Sequence, residues 1–129
     1  MSTRSQIKVI SNGIEIHFYH HYDGYFSGVG EEISNALLKF KKGILKKESW
    51  IANDFVSELL KYGGYEITFV PHGDIEFFYS LDFDHLEFKG YRVAYSNMWA
   101  DSKDHIGRWK NHMSPIQSDE HPEMVQLLK

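Results

Sequence analysis

Gln6-Ile7-Lys8-Val9-Ile10-Ser11-Asn12-Gly13-Ile14-Glu15-Ile16-His17-Phe18-Tyr19-His20 alternates in hydrophobicity on both sides of an Asn-Gly pair. Asn and Gly tolerate the two successive positive φ angles of a tight hairpin turn, so the stretch predicts two antiparallel strands joined at Ser11–Gly13. On the return strand, Ile14, Ile16, Phe18 and His20 share one face, while Glu15, His17, Tyr19 and His21 share the other. The first set is expected to face a core. His20 then ends the core-side row and His21 points away from it.

Downstream the period changes. Val29, Ile33, Ala36, Leu37, Phe40 and Ile44 recur at three- and four-residue steps, the apolar stripe of an amphipathic helix. Glu31 and Glu32 fall in its first turn and Lys39, Lys41 and Lys42 in its last, as the helix dipole favours. Gly43 is expected to end or kink it. A second helix is predicted from about Glu48 to Tyr62, with Ile51, Phe55 and Leu59 facing inward alongside Ala52, Val56 and Leu60. Gly63-Gly64 stops it.

From Tyr65 the period is two again. Tyr65, Ile67 and Phe69 alternate with Glu66, Thr68 and Val70, and Pro71-His72-Gly73-Asp74 reads as a turn. Strands follow at Ile75–Leu81 and within Leu86–Tyr95, the latter with a break expected near Gly90. The order β-β-α-α-β-β-β predicts an α+β fold of two layers, an antiparallel sheet with two helices on one face. The chain reads as a single domain. Residues 97–129 form a loop-rich C-terminal extension whose Met124-Val125-Gln126-Leu127-Leu128 is expected to be a short helix, docked on the body or on a neighbouring subunit. Surplus aromatics on the second face of the later strands add to the expectation of a homo-oligomer, most simply a two-fold dimer.

Composition narrows the functional classes. Aromatics make up 16% of the 129 residues, and much of that must be core. With no cysteine there is no disulfide, thiol catalysis or Cys-ligated metal, and a cytoplasmic location fits. A formal charge of −4 argues against binding extended nucleic acid, which needs a basic surface. No apolar run approaches the roughly 18 residues of a membrane span, and no secretory leader is expected.

The junction between hairpin and first helix concentrates chemistry. His20-His21-Tyr22-Asp23-Gly24-Tyr25-Phe26-Ser27-Gly28-Val29-Gly30-Glu31 gathers histidines, a carboxylate, aromatics and three glycines. A metal is not expected, because adjacent strand residues point to opposite faces and no ligand spacing recurs among the other histidines. A His–Asp pair could relay a proton, but no nucleophile accompanies it; Asp23-Gly24 reads equally as a turn. Gly28-Val29-Gly30 leading into a helix could offer N–H groups to an anion. It is neither a Walker loop nor part of a parallel βαβ unit, and Glu31 and Glu32 would oppose an anion there. Arg4 could compensate. Hairpin pairing carries Thr3-Arg4-Ser5 to the end where residues 20–21 lie, so an Arg4–Asp23 salt bridge is expected.

The same residues carry a resemblance. Thr3-Arg4-Ser5-x-Ile7 followed by Tyr19-His20-x-x-Asp23-Gly24-Tyr25-x-x-Gly28-Val29-Gly30 resembles a widespread set of small uncharacterised bacteriophage and mobile-element proteins. Their pattern is T-R-S-x-I … Y-x-H-x-D-G-Y-x-x-G-x-G. The segment His20-His21-Tyr22-Asp23 has one residue more between its first histidine and the aspartate, and His21 then stands as the counterpart. The likeness covers about the first quarter of the chain. It implies a phage or prophage setting and the host cytoplasm, where small proteins of this kind often inhibit host defence.

The expected function is a non-enzymatic binding protein, most concretely a sponge for a small phosphate-bearing nucleotide signal, cyclic forms included, with no cofactor. Arg4 would neutralise phosphate, Gly28 and Gly30 would donate N–H groups, and Tyr25 would stack on a base, with Thr3, Ser5, His20, His21 and Asp23 around them. Arg108 and Trp109 in the tail would add a cation and a stacking surface. The alternative is a protein-binding inhibitor of a host component, and an enzyme using His21 and Asp23 comes third. A basic cluster around the loop would favour the sponge; an exposed apolar patch remote from it would favour the inhibitor.

Overall fold

The structure, a computed structural model, describes residues 3–70 and 72–93 and the backbone strand 113–115. The hairpin forms as expected: β1 (Ser5–Ser11) and β2 (Ile14–His20) pair antiparallel from Ser11↔Ile14 to Ser5↔His20. Asn12 and Gly13 take φ of 53° and 73°, the paired positive values a two-residue turn of this hand requires. The turn is held from outside, since Asp84 accepts hydrogen bonds from the Asn12 N–H (2.7 Å) and the Gly13 N–H (3.0 Å) on its two carboxylate oxygens. Asp84→Ala is therefore expected to cost about 1–2 kcal/mol in denaturant unfolding, with Asp84→Asn retaining part of it.

A π-helical turn (Phe26–Gly30) opens the helical layer, followed by α1 (Glu31–Lys39), α2 (Lys41–Leu45) and α3 (Ile51–Leu60). The stripe read as one helix is thus divided at Phe40, ahead of Gly43. β3 (Tyr65–Thr68), β4 (Phe77–Asp82), β5 (Glu87–Val93) and β6 (Met113–Pro115) complete a six-stranded sheet in the order β3-β2-β1-β4-β5-β6. The fold is α+β with the helices packed on one face. One pairing departs from the antiparallel expectation: β1 lies parallel to β4, from Ser5↔Phe77 to Ile10↔Asp82, so the sheet is mixed. Nothing local to either strand encodes that contact. β5 runs unbroken through Gly90, paired with Tyr79.

The main core joins Ile7, Val9 and Phe18 to Val29, Ile33, Leu37, Phe55 and Leu59, then to Tyr79, Leu81 and Phe88. A smaller cluster of Tyr19, Ile75, Phe78 and Val93 occupies the opposite face, where the aromatic surplus was read. Ile14 and Ile16 correct the expectation of burial against the helices, being 64% and 43% exposed. The tip of the hairpin faces the start of α3 across an open cleft rather than packing against it. Within the predicted tail, Met113–Pro115 adds β6 to the edge of β5. Its remainder, including the predicted terminal helix and Arg108-Trp109, lies outside the described residues. No helix among the described residues is long and apolar enough to cross a membrane.

The β4–β5 turn carries a pH-dependent pair. His85 Nδ1 lies 2.9 Å from Asp82 Oδ2, and Asp82 Oδ1 accepts the Asp84 and His85 N–H groups. Burial pushes the Asp82 carboxyl up, but these His85 and Asp84 hydrogen bonds outweigh it, so its pKa is lowered. The Asp82 hydrogen bond and charge raise that of His85. The Asp82 contribution is present above the usual carboxylate range and lost as pH falls through its folded value. That of His85 is present below the usual imidazole range and lost as pH rises through its folded value. Stability from the pair should peak between about pH 4 and 6.5. The denaturation midpoint of His85→Ala should show a smaller decline on the alkaline side than wild type does.

Candidate functional site

The junction loop is built from its own backbone. Asp23 takes a positive φ of 51°, and its carbonyl turns inward to accept the Val29 N–H at 2.8 Å. Tyr25 O accepts the Gly28 and Gly30 N–H groups, Thr3 O accepts the Gly24 N–H, and the buried Tyr79 hydroxyl donates to Gly24 O at 2.7 Å. Burial drives the Tyr79 phenol well above its usual pKa, which keeps it a donor. The N–H groups of Gly28 and Gly30, read as an anion cradle, are thus committed to carbonyls of the same loop. Nor does Arg4 meet Asp23. Its Nε lies 3.2 Å from Asp74 Oδ2, while Asp23 accepts from the Tyr25 hydroxyl at 2.9 Å.

His20 and His21 diverge as the strand period requires. His20 is buried, its Nδ1 against Tyr22 O and its Nε2 3.1 Å from Gly63 O, between the rings of Tyr22 and Tyr65. It ties the loop to the end of α3 and has no room for a ligand. Tyr65 in turn donates to Glu32 at 2.6 Å, and burial together with that carboxylate pushes its phenol far up. Ser5 is fully buried and its hydroxyl has no partner; a Cβ on Gly24 would stand 2.7 Å from Ser5 Cβ. Thr3 contributes its carbonyl.

On the other face, His21 joins a polar cluster that sequence reasoning assembled only in part. Arg4 Nε donates to His21 Nδ1 at 3.3 Å, and the Tyr19 hydroxyl lies 3.1 Å from the same nitrogen and 3.4 Å from Asp74 Oδ2. Tyr19 stacks on His72 with ring centroids 4.1 Å apart, and His72 Nε2 is 2.8 Å from the Thr68 hydroxyl. Burial raises the Tyr19 phenol, helped by Asp74 and opposed by Arg4. Arg4 and His21 are therefore neighbours, but Asp74 already balances the guanidinium. His21 and Asp23 have different partners and form no relay. Among the described residues no group of three or more His, Asp or Glu side chains could hold a metal.

An apolar cavity lies elsewhere. Between the exposed tip of the hairpin and the start of α3 runs a cleft of about 280 Å³, lined by Val9, Ile14, Ile16, Trp50 and Val56 with Asn53 at its rim. Trp50, just ahead of α3, is 73% exposed. Asn12 Nδ2 donates to Ser49 O at 3.3 Å and closes one end. Beyond that bridge a more polar hollow of about 220 Å³ reaches Lys47, Glu48 and Asp84. Trp50 was missed in the sequence, although a tryptophan outside the buried stripe of the following helix was a signal. The apolar patch and the junction loop lie on different parts of the fold. Searches against protein-family models, curated proteins and solved structures find no match.

Proposed function

We propose that the chain is a non-enzymatic binding protein that captures a short apolar segment of a protein target in the cleft between β2 and α3. The observation that carries this reading is the cleft itself. It exposes Trp50, Ile14 and Ile16 together, beside a recess with room for a bulky side chain. Large apolar groups gathered at one place on a surface are the usual mark of a protein-binding site, and tryptophan is the residue most enriched at the energetic centre of such sites. The polar rim of Asn12, Ser49 and Asn53 supplies hydrogen-bonding groups to orient the bound segment. The resemblance of the first quarter to phage and mobile-element proteins is the reason to look for the target among host proteins, which would make the activity inhibitory.

The nucleotide-sponge reading retains the adjacency of Arg4 and His21, with Tyr19 beside them. It lacks free N–H donors at Gly28 and Gly30, and Asp74 opposes an anion at Arg4. One experiment separates the two. A displayed peptide library is selected on the wild-type chain and counter-screened on Ile16→Asp, while a nucleotide and cyclic-nucleotide panel is run by thermal shift. Apolar peptides that bind wild type and Arg4→Ala but not Ile16→Asp are the expected result. A nucleotide at 100 times its dissociation constant that stabilises the protein by about 2.7 kcal/mol, and no longer does so in Arg4→Ala, would replace this reading with the sponge.

A further inference from the structure

β3 is the outermost strand of the sheet, and nothing among the described residues pairs with its outer edge. Edge strands are ordinarily blunted by short length, charged side chains, proline, a bulge or a covering segment, because a free row of N–H and C=O groups recruits another strand. Tyr65-Glu66-Ile67-Thr68 is short and carries one charge, Glu66, but no lysine or proline. The chain that follows does not fold back along the edge, for Val70 O and the His72 N–H bond the Gln6 side chain on β1. Ile67 is 62% exposed and Phe69 95%. The opposite edge differs, since β6 ends in Pro115, which has no N–H.

We propose that β3 is the pairing edge between two copies of this chain, joined antiparallel about a two-fold axis through Ile67 so that two six-stranded sheets become one. The register follows from hydrogen-bond parity together with charge. The Asn12-Gly13 turn, with both φ positive, makes Ser11↔Ile14 a hydrogen-bonded pair, and such pairs alternate along an antiparallel ladder. Ile14, Ile16, Phe18 and His20 therefore direct their backbone groups toward β1, and His17 and Tyr19 direct theirs toward β3. His17 pairs with Thr68 and Tyr19 with Glu66. Glu66 and Thr68 are thereby committed inward, leaving the N–H and C=O groups of Tyr65 and Ile67 facing outward.

A two-fold axis normal to the sheet sets residues of the same face opposite one another. Centring it on Ile67 matches outward groups with outward groups: Ile67 with its own mate, and Tyr65 with Phe69 of the second copy. Glu66 then stands opposite Thr68. Centring it on Glu66 would also match outward groups, Tyr65 with Ile67 of the second copy, but it sets two carboxylates directly opposite one another, which is unfavourable. Ile67 and Phe69 are both exposed, so this face of the joined edge gathers apolar surface rather than charge. This inference is independent of the cleft, which lies on the β1–β2 side of the edge.

Sedimentation velocity at micromolar concentration tests it. Wild type should sediment as twice the 15.1 kDa chain mass. Ile67→Pro removes only an outward N–H, because Glu66 and Thr68 make the bonds to β2, and should give a folded monomer by circular dichroism. Ile67→Lys, which sets two ammonium groups on the axis, should do the same. In a chain without native cysteine, Ile67→Cys should be joined by a short bismaleimide, while Glu87→Cys should not. A wild-type monomer would leave the edge to a foreign strand and overturn the proposal. A dimer that survives either the proline or the lysine would assign the interface elsewhere and equally overturn it.

Discussion

Gly28→Ala should destabilise the fold by about 3 kcal/mol or more, near the upper end of what added methyl groups cost in a packed interior. The cause is specific. A Cβ at position 28 would stand 2.0 Å from the carbonyl oxygen of Asp23 and 3.1 Å from its Cβ. That carbonyl cannot simply retreat, since it accepts the Val29 N–H and its own residue already holds a positive φ. Relief requires breaking the Asp23–Val29 bond or unwinding the π-helical turn, and Val29 is a fully buried core residue. In thermal unfolding the loss corresponds to a drop of roughly 10 °C for a domain of this size. Gly13→Ala provides the scale: its φ is positive, unlike that of Gly28, but no atom lies within 4 Å of the added carbon. It should cost only about 1 kcal/mol, the price of the left-handed conformation alone. Equal losses in the two variants would show that steric contact at Gly28 plays no part.

That contrast marks how far the sequence could be read. The Asn12-Gly13 turn was legible because its chemistry is local: two adjacent residues able to adopt positive φ, flanked by two alternating runs. The opposite directions of His20 and His21 followed from strand parity, and the helical stripe from Val29 to Ile44 identified residues that do enter the core. What escaped was decided by distant partners. Arg4 was expected to find Asp23, the nearer carboxylate in sequence; Asp74 instead reaches it from the turn before β4, while Asp23 holds Tyr25. The parallel β1–β4 contact depends on the path of the chain through the helical layer. Gly28 announced close backbone approach, which is present. The approaching group is the loop's own carbonyl, and composition alone could not separate that from an anion. Ile14 and Ile16 had the correct face and the wrong burial, since strand parity says which side a residue takes and not how closely the opposing helix packs there.

The exposed end of that row sets the final prediction. Trp50→Ala should weaken capture of a cleft-selected peptide by about 30-fold or more, the loss of roughly 2 kcal/mol typical of an aromatic residue at the centre of an interface. Its effect on folding should be small, because the ring is mostly exposed in the free chain and lies ahead of α3 rather than within its buried stripe. Ile16→Asp should abolish capture, since a carboxylate on the cleft wall would have to lose its water to any apolar side chain entering. That substitution leaves the strand ladder intact, because side-chain identity at an exposed position does not alter the pairing of Ile16 with Val9. Phe55→Ala, by contrast, empties a fully buried site and should cost about 3–5 kcal/mol of stability. Calorimetric titration paired with denaturant unfolding distinguishes these effects. The cleft reading requires affinity to fall in the first two variants while unfolding stability stays near that of wild type. If Trp50→Ala and Ile16→Asp bind as tightly as wild type, the apolar recess is not where the target docks.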